Sequence, residues 1–320
     1  MENKEARVET CTKCNSNCIM CPREKLTRPL QVMDFDEFER IIDQCVEVGI
    51  KQVSLFGFGE PLLDKELPLK IDYCNRLGME TFITTNAIAL TPDWAFELMG
   101  MGLDHLRVSC HAINDQDWKM VHRSKFGTFS DVVRNTNNFR AIRDKYGYKC
   151  KIHVTSLAFI DRSVDRYKDL WLKGVDFLEI WRPHNWVGGR LYRDRTGSRK
   201  TTCGRPFNGP LQIQVDGTMI PCCFMTNSEY VYGDINQHSI PEILNGDAAQ
   251  KLREAHTTGD MTGLPCDVCD QLNEENQPVL LFSNRRDKAG ATSSFLAELE
   301  DTENGLRKEN RTRFSSGSRS

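Results

Sequence analysis

The sequence predicts an α/β protein whose main part is a parallel sheet of six strands, followed by a smaller unit. Strand-like apolar runs alternate with helix-like runs from residue 6 to about 183, and the alternation stops in an Arg- and Gly-rich stretch at 184–202. Such alternation implies right-handed crossovers and a parallel sheet, open or curled toward a barrel. We expect three parts: residues 1–195, residues 196–285 and a polar, disordered tail at 286–320.

Each element of the first unit has a local signal. Strand-like runs lie at residues 6–10, 52–57, 79–86, 105–110, 149–159 and 177–183. Helical spacing of apolar residues lies at 34–49, 64–77, 129–147 and 162–173. Thr91 and Pro92, an N-cap followed by proline at the first helical position, indicate a further helix.

The second unit combines a hairpin and a helix. Residues 211–223 have the pattern of two strands joined by Asp216 and Gly217, a pair typical of hairpin turns. Residues 239–255 have the apolar spacing of one helix. We therefore expect a small β-hairpin plus helix domain after the sheet.

Composition narrows the class of protein. The net charge of −3 over 320 residues gives no global reason to bind nucleic acid or an anionic membrane. No apolar run reaches the roughly 20 residues that span a bilayer, and the charged start is unlike a signal peptide, so we expect a cytoplasmic protein. In a reducing compartment, clustered thiols indicate metal binding or catalysis, and nine of the 13 cysteines are clustered.

The first cysteine group follows the first strand as Cys14-x3-Cys18-x2-Cys21. Three thiolates can hold three irons of a cubane cluster, and because such clusters usually take four cysteines, one iron stays open to a small molecule. The alternative is a zinc knuckle with Cys11 as the fourth ligand.

A second signal lies at the carboxyl end of the second strand, where parallel sheets place their chemistry. Residues 57–61 are Gly-Phe-Gly-Glu-Pro. Glycine allows close approach of the backbone to a ligand, and Glu60 offers an acceptor for an ammonium group. Alternatively, Gly57 and Gly59 only shape a turn and Glu60 is an acid at a helix start.

Together, the cysteine loop and the strand end at 57–61 resemble the radical S-adenosylmethionine (radical SAM) superfamily. Phe58 stands where the family usually has a second glycine. The resemblance implies a partial (β/α)6 barrel, with a 4Fe-4S cluster on Cys14, Cys18 and Cys21 whose open iron binds the amino and carboxylate groups of SAM. It implies that SAM is contacted by Met20, Gly57, Gly59, Glu60, Pro61, Asn86 and Ser109.

The second cysteine group contains Cys203, Cys222, Cys266 and Cys269. Its spacing resembles the SPASM or twitch extension of radical SAM enzymes, which implies that these four residues hold a second, auxiliary 4Fe-4S cluster. Cys223 could replace Cys222 in this assignment. The alternative is a four-cysteine zinc ribbon, because CxxC pairs are the usual zinc signature.

The resemblance implies a reaction as well as cofactors. SAM is reductively cleaved to a 5'-deoxyadenosyl radical that abstracts a hydrogen atom from the substrate, and the auxiliary cluster accepts a second electron. A flavodoxin- or ferredoxin-type protein would supply the reducing electron. Arg182 and His184 are our candidate catalytic or anchoring residues near the sixth strand, with His111, His153 and Glu179 as further polar candidates.

Two substrate classes and one non-catalytic function remain open. A small molecule, such as a sugar or aminocyclitol alcohol, is favoured because only 10 residues precede Cys11, which leaves no room there for a fused peptide-recognition domain. The first alternative is a peptide-modifying SPASM enzyme. A distant alternative is a non-catalytic zinc or RNA-binding module, which the acidic surroundings of Cys266 and Cys269 disfavour.

Overall fold

The fold is described from a computed structural model over residues 3–157, 164–181, 183–192, 198–273 and 279–283. Within these residues the strands are β1 (Glu5–Val8), β2 (Gln52–Leu55), β3 (Glu80–Thr85), β4 (His105–Ser109), β5 (Lys151–Leu157), β6 (Phe177–Trp181), β7 (Leu211–Ile213), β8 (Thr218–Ile220), β9 (Gly233–Asp234) and β10 (Val279–Ser283). The helices are α1 (Phe35–Glu47), α2 (Leu67–Arg76), α3 (Pro92–Gly100), α4 (Asp115–Val121), α5 (Phe129–Tyr146), α6 (Val164–Trp171), α7 (Arg205–Asn208), α8 (Ile240–Asn245) and α9 (Asp247–Thr258).

All ten strands belong to one open sheet. Its order is β10-β6-β5-β4-β3-β2-β1-β7-β8-β9. Strands β1 to β6 are parallel and adjacent in chain order, which confirms the predicted six-stranded parallel α/β fold. The predicted hairpin is also confirmed, and its first strand, β7, pairs in parallel with β1.

The two faces of the sheet differ in chemistry because successive side chains of a strand point to opposite faces. On β4, Leu106 and Val108 belong to the hydrophobic core. Arg107 alternates with them and lines a large cavity on the other face. Thr84 and His153 are its register partners on β3 and β5. The two faces of β4 thus meet different surroundings, the apolar core on one side and the cavity on the other.

Capping residues fix several helix ends as expected. The Thr91 side chain accepts a hydrogen bond from the backbone N–H of Trp94 at the start of α3, which confirms the predicted cap. The single helix expected over 239–255 is wrong, because α8 ends before Gly246, whose extended backbone precedes α9. Helix α4 was not expected from the pattern.

Strand β10 was also not expected. Although it lies within the segment assigned to the second unit, it pairs antiparallel with β6 of the first. The division at residue 195 therefore stays a prediction, with one sheet running through both units. The tail at 286–320 and Arg182 lie outside the described residues. Among the described helices, none combines the length and apolar character needed to cross a membrane.

Candidate cofactor sites and the cavity between them

The loop that carries the first cysteine group lies over the carboxyl ends of the parallel strands. On one side, the backbone N–H of Asn17 donates to the carbonyl of His122, just after α4, at 3.1 Å. On the other, the backbone N–H of Glu60 donates to the carbonyl of Lys13 at 2.8 Å. The loop is therefore held between the end of β2 and the segment that follows β4.

The thiols of Cys14, Cys18 and Cys21 share one environment. Burial raises the pKa of each, to about 11 for Cys21, and the charge of Cys14 acts on both Cys18 and Cys21. Cys11 is 3% exposed, and its Sγ donates to the carbonyl of Lys13 at 3.5 Å. The main charges that act on its thiol come from other residues, not from the three cysteines.

Three neighbouring thiols fit the donor set of a cubane with one open iron. Iron binds thiolates, so loading this site displaces protons. In the part of the chain that the structure describes, no group of three His, Cys, Asp or Glu side chains is arranged to hold one metal ion. The ligand roles of Cys14, Cys18 and Cys21 stay a prediction.

A buried histidine contacts the loop. His122 Nε2 accepts a hydrogen bond from the backbone N–H of His111 at 3.0 Å, and burial lowers the pKa of His122 well below its usual range. The ring is therefore neutral, with its proton on Nδ1, and Nδ1 lies 3.6 Å from the Sγ of Cys18. Because the ring also stacks on Trp118 at 3.7 Å, its donor is fixed toward the sulfur.

The glycines after β2 are required by the protein's own packing. A Cβ at Gly59 would overlap the backbone of Cys11, and one at Gly57 would overlap the side chain of Glu9. Pro61 begins a 3-10 turn at Pro61–Leu63. The close contacts of Gly57 and Gly59 are thus with the segment that runs from the end of β1 to the cysteine loop. Contact of SAM with these two glycines and with Pro61 stays a prediction.

Glu60 connects two strand ends. Its carboxylate accepts hydrogen bonds from Thr85 Oγ1 at 2.5 Å, from the backbone N–H of Asn86 at 2.7 Å and from that of Leu62 at 3.1 Å. Burial raises the pKa of Glu60 to about 7. These contacts match the alternative of an acid at a helix start, and contact between Glu60 and the SAM amino group stays a prediction.

The other predicted SAM contacts lie around the same loop. The Asn86 side chain donates to Oδ1 of Asn15, inside the loop, at 2.6 Å. Met20 is 6% exposed, and Ser109 ends β4 opposite Thr155. The structure thus brings the loop to the ends of β2, β3 and β4, while the contacts themselves remain untested.

The second cysteine group surrounds one cavity. Cys203, Cys222, Cys266 and Cys269 line one small space between α7, the hairpin and α9. These four thiols fit the donor set of a saturated 4Fe-4S cluster. Cys223 is not among the residues that line this space; it lines the larger cavity described next. The geometry therefore favours Cys222 over Cys223 as a ligand.

A central cavity of about 220 Å³ lies between the two cysteine groups. Phe58 of the β2 end lines one side, and Cys223 and Phe224 of the hairpin line another. His184, one predicted site residue, also lines it, with ring centroids 3.9 Å from Phe224 and 4.2 Å from Trp186. Aromatic rings thus form much of its wall.

The further polar candidates lie outside the lining of this cavity. His111 Nδ1 accepts from the backbone N–H of Leu157 at 3.0 Å, and burial lowers the pKa of His111 to about 4. His153 and Glu179 are buried behind Arg107, whose Nη2 donates to Glu179 Oε1 at 3.1 Å. Of these three residues, Glu179 contacts the cavity lining through its hydrogen bond with Arg107.

The charged residues that line the central cavity were not among the residues that the sequence patterns singled out. Arg7, Arg28, Arg107 and Arg205 line it together with Glu9. A usable signal existed, because Glu5, Arg7 and Glu9 alternate along the first strand and would place three charges on one face of the sheet.

Comparison with protein families gives two matches. The radical SAM superfamily matches residues 8–157, and the SPASM iron-sulfur cluster-binding domain matches residues 203–270. Among curated proteins, a probable GTP 3',8-cyclase of Methanopyrus kandleri is 31% identical over 134 residues, or 42% of each chain. The GTP 3',8-cyclase of Heliobacterium modesticaldum is 34% identical over 131 residues, or 39% of each chain. These matches thus span about two fifths of the relatives.

Solved structures share the fold at low sequence identity. BtrN in complex with AdoMet and 2-DOIA has a TM-score of 0.61 and 20% identity, covering 83% of this chain and 92% of its own. Streptococcus suis SuiB bound to the precursor peptide SuiA has a TM-score of 0.65 and 13% identity, covering 84% and 70%. The anSMEcpe structure with bound AdoMet has a TM-score of 0.60 and 16% identity, covering 77% and 81%.

The family matches agree with the cysteine groups. The first match contains the loop at residues 14–21, and the second begins at Cys203 and ends one residue after Cys269. SAM and 4Fe-4S clusters, one of them auxiliary, are the cofactors of these two domains. The chain belongs to the radical SAM superfamily and carries a C-terminal SPASM domain.

Proposed function

We propose that this protein oxidises a hydroxyl group of a small molecule, such as a sugar or an aminocyclitol, to a carbonyl group. When bound, the cofactors supply a 5'-deoxyadenosyl radical that takes a hydrogen atom from the substrate, and an auxiliary acceptor for the second electron. The hydroxyl proton leaves to solvent or to a base. The electron that starts each cycle comes from a flavodoxin- or ferredoxin-type protein.

The central cavity carries this proposal. It extends from the β2 end, next to the first cysteine loop, to Cys223, whose neighbour Cys222 lines the second cysteine site. A substrate held there would lie between the two redox sites.

The protein's own residues have separate tasks in this proposal. Cys14, Cys18 and Cys21 hold the cluster that binds SAM, and the ends of β2 and β3 position SAM beside it. Phe58, Trp186 and other aromatic side chains of the cavity exclude water, which protects a reactive substrate radical. The second cysteine group holds the electron acceptor on the far side of the substrate.

Peptide modification is the main alternative. SuiB, whose structure was solved with a precursor peptide, shares the fold, but its 13% identity carries no substrate to this chain. The cavity lining supports a small molecule, because side chains from β1, the β2 end, β4, β6 and the hairpin converge on one space.

The test is substrate-dependent formation of 5'-deoxyadenosine under anaerobic conditions with reconstituted protein, SAM and dithionite. Panels of sugars and aminocyclitols and of peptides would be compared. We expect a member of the first panel to stimulate 5'-deoxyadenosine and to yield a product two hydrogens lighter, with deuterium passing from the substrate C–H to 5'-deoxyadenosine. Stimulation by peptides alone would contradict the proposal. The Cys14→Ala variant is the matched control for cofactor-independent background.

A further inference from the structure

The central cavity is unusually rich in arginine. Arg7, Arg28, Arg107 and Arg205 line it, and Glu9 is the one carboxylate among its described lining residues. Glu5 and Glu179, which pair with Arg7 and Arg107, lie behind the lining. Four guanidinium groups thus face three carboxylates, which leaves an excess of positive charge around an enclosed space.

Three of these arginines are held by protein acceptors. Arg28 makes a bidentate pair with Glu9, at 2.7 and 3.1 Å, and its Nε donates to the carbonyl of Thr226 at 2.9 Å. Arg7 pairs with Glu5 at 2.9 Å. Arg205 Nη1 lies 3.3 Å from each of the two adjacent sulfurs of Cys222 and Cys223. These side chains stabilise the cavity wall and the second cysteine site.

Arg107 is held differently. Of its three nitrogens, only Nη2 donates to a described residue, Glu179, while its Nε is buried without a hydrogen-bond partner in the described chain. Its guanidinium group lies over the ring of Phe82 at 4.5 Å, which fixes its plane. A guanidinium group has five N–H donors; the one on Nε is buried and one on Nη2 is used by Glu179, so the donors of Arg107 that a ligand can meet are the two on Nη1 and the second on Nη2.

The neighbours of Arg107 support the same conclusion. Thr84, its register partner on β3, has a buried Oγ1 without a hydrogen-bond partner among the described residues. On the other side, Glu179 accepts a hydrogen bond from Trp181 Nε1 at 3.0 Å, and His153 Nδ1 lies 3.4 Å from its Oε1 without forming a hydrogen bond. Buried donors without acceptors are costly. An acceptor-rich ligand group in the cavity would satisfy donors of Arg107, which lines it, whereas Thr84 does not line it.

We propose that the substrate carries a phosphate or carboxylate group, and that Arg107 binds this group in the central cavity. This inference rests on the proposed function, because it names the class of small molecule oxidised there. Arg107 is suited to the role because its planar fork matches an oxyanion with two parallel hydrogen bonds. Glu179 is a positioning residue that keeps the fork in place.

The test is anaerobic calorimetry on reconstituted, SAM-loaded protein, with inorganic phosphate and acetate injected separately at matched ionic strength. We expect saturable binding of at least one of these anions, and the anion that binds more tightly identifies the group. Arg107→Gln should weaken this binding by at least about tenfold. Arg107→Lys should weaken it less, because the charge remains while the fork is lost.

A control variant removes a remote charge. Arg76→Gln, on the exposed side of α2, should bind the anion as tightly as the native protein. Iron content and the thermal unfolding midpoint would show whether Arg107→Gln is folded; if it is not, the weakened binding of Arg107→Lys carries the test. The proposal is overturned if the native protein binds neither anion at millimolar concentration, or if folded Arg107 variants bind like the native protein.

Failure of this inference and failure of the proposed function give different results. If anion binding depends on Arg107 but no hydroxyl compound stimulates 5'-deoxyadenosine, the anion site stands and the oxidation is wrong. If neutral sugars are oxidised and anions do not bind, the oxidation stands and the anion site is wrong.

Discussion

The two cysteine groups of this protein are built in opposite ways. The first is local: Cys14, Cys18 and Cys21 lie within one short loop, and the nearest side-chain donor is the neutral His122. The second is assembled from distant segments between Cys203 and Cys269, around a cavity bordered by the charged Arg205. The first offers three thiols and the second four.

This difference separates two chemical roles. Three ligands leave an iron open to bind a small molecule, whereas four saturate a cluster and leave it to transfer electrons. The central cavity lies between the groups. A substrate in this cavity could react with the radical formed at the first cysteine group and pass an electron to the cluster at the second. Substitutions in one cysteine group should therefore affect one of these two steps and not the other.

The largest expected effect comes from removing ligands. Cys14→Ala, Cys18→Ala or Cys21→Ala should reduce SAM cleavage to background, because the cluster that binds SAM is lost. Cys269→Ala should retain part of the cleavage but strongly impair substrate turnover. Chromatographic assay of 5'-deoxyadenosine and of product measures both. Equal losses of cleavage and turnover in Cys269→Ala would contradict separate roles.

The adjacent pair on the hairpin gives a sharper comparison. Cys222→Ala should lower the iron content from about eight to about four per chain, whereas Cys223→Ala should leave it near eight. The reason is that Cys222 lines the second cysteine site and Cys223 lines the central cavity. Iron and sulfide content is measured after anaerobic reconstitution. A loss of four irons in Cys223→Ala but not in Cys222→Ala would show that Cys223 is the ligand.

Arg205 should act on the second cluster alone. Its Nη1 lies 3.3 Å from Cys222 Sγ, and a positive charge at a ligand favours the more negative, reduced cluster. Arg205→Met should therefore lower the midpoint potential of that cluster by roughly 100 mV, the equivalent of a charged hydrogen bond. Potentiometric titration followed by electron paramagnetic resonance measures it. An equal shift in both clusters would indicate a global change in structure.

Replacing His122 should change the midpoint potential of the first cluster, by less than replacing Arg205 changes that of the second. The neutral Nδ1–H of His122 points at Cys18, so His122→Phe should lower the potential of the first cluster by roughly 40 mV, about 1 kcal/mol, and leave the second unchanged. The same titration provides the measurement. His238→Phe, an exposed position, is the matched control. An unchanged midpoint potential of the first cluster in His122→Phe would show that the contact between His122 and Cys18 does not affect that cluster.

Sequence patterns predicted what depends on local spacing. The cysteine loop, the cap at Thr91 and the turn at Gly217 are each specified by a few adjacent residues. The pairing of β10 with β6 was not predictable in this way, because nearly 100 residues separate the two strands.

The cavity was harder to predict than the cysteine loop. Arg107 is one charged residue in a buried strand, and its importance depends on Thr84 and Glu179 from neighbouring strands. Likewise, Cys222 and Cys223 are adjacent in sequence but line different spaces, in a turn that follows β8. Side-chain direction, rather than residue type, decided these roles.

The pairing of β7 with β1 has a consequence for dissecting this protein. Removing the SPASM domain would strip β1 of one hydrogen-bonded neighbour and expose its backbone N–H and C=O groups along the sheet margin. Unpaired margins of this kind promote association between chains. A shortened chain that ends before residue 203 should therefore aggregate instead of forming an independent catalytic module, and a C-terminal unit taken from a relative would be tolerated only if it supplied a strand with matching register.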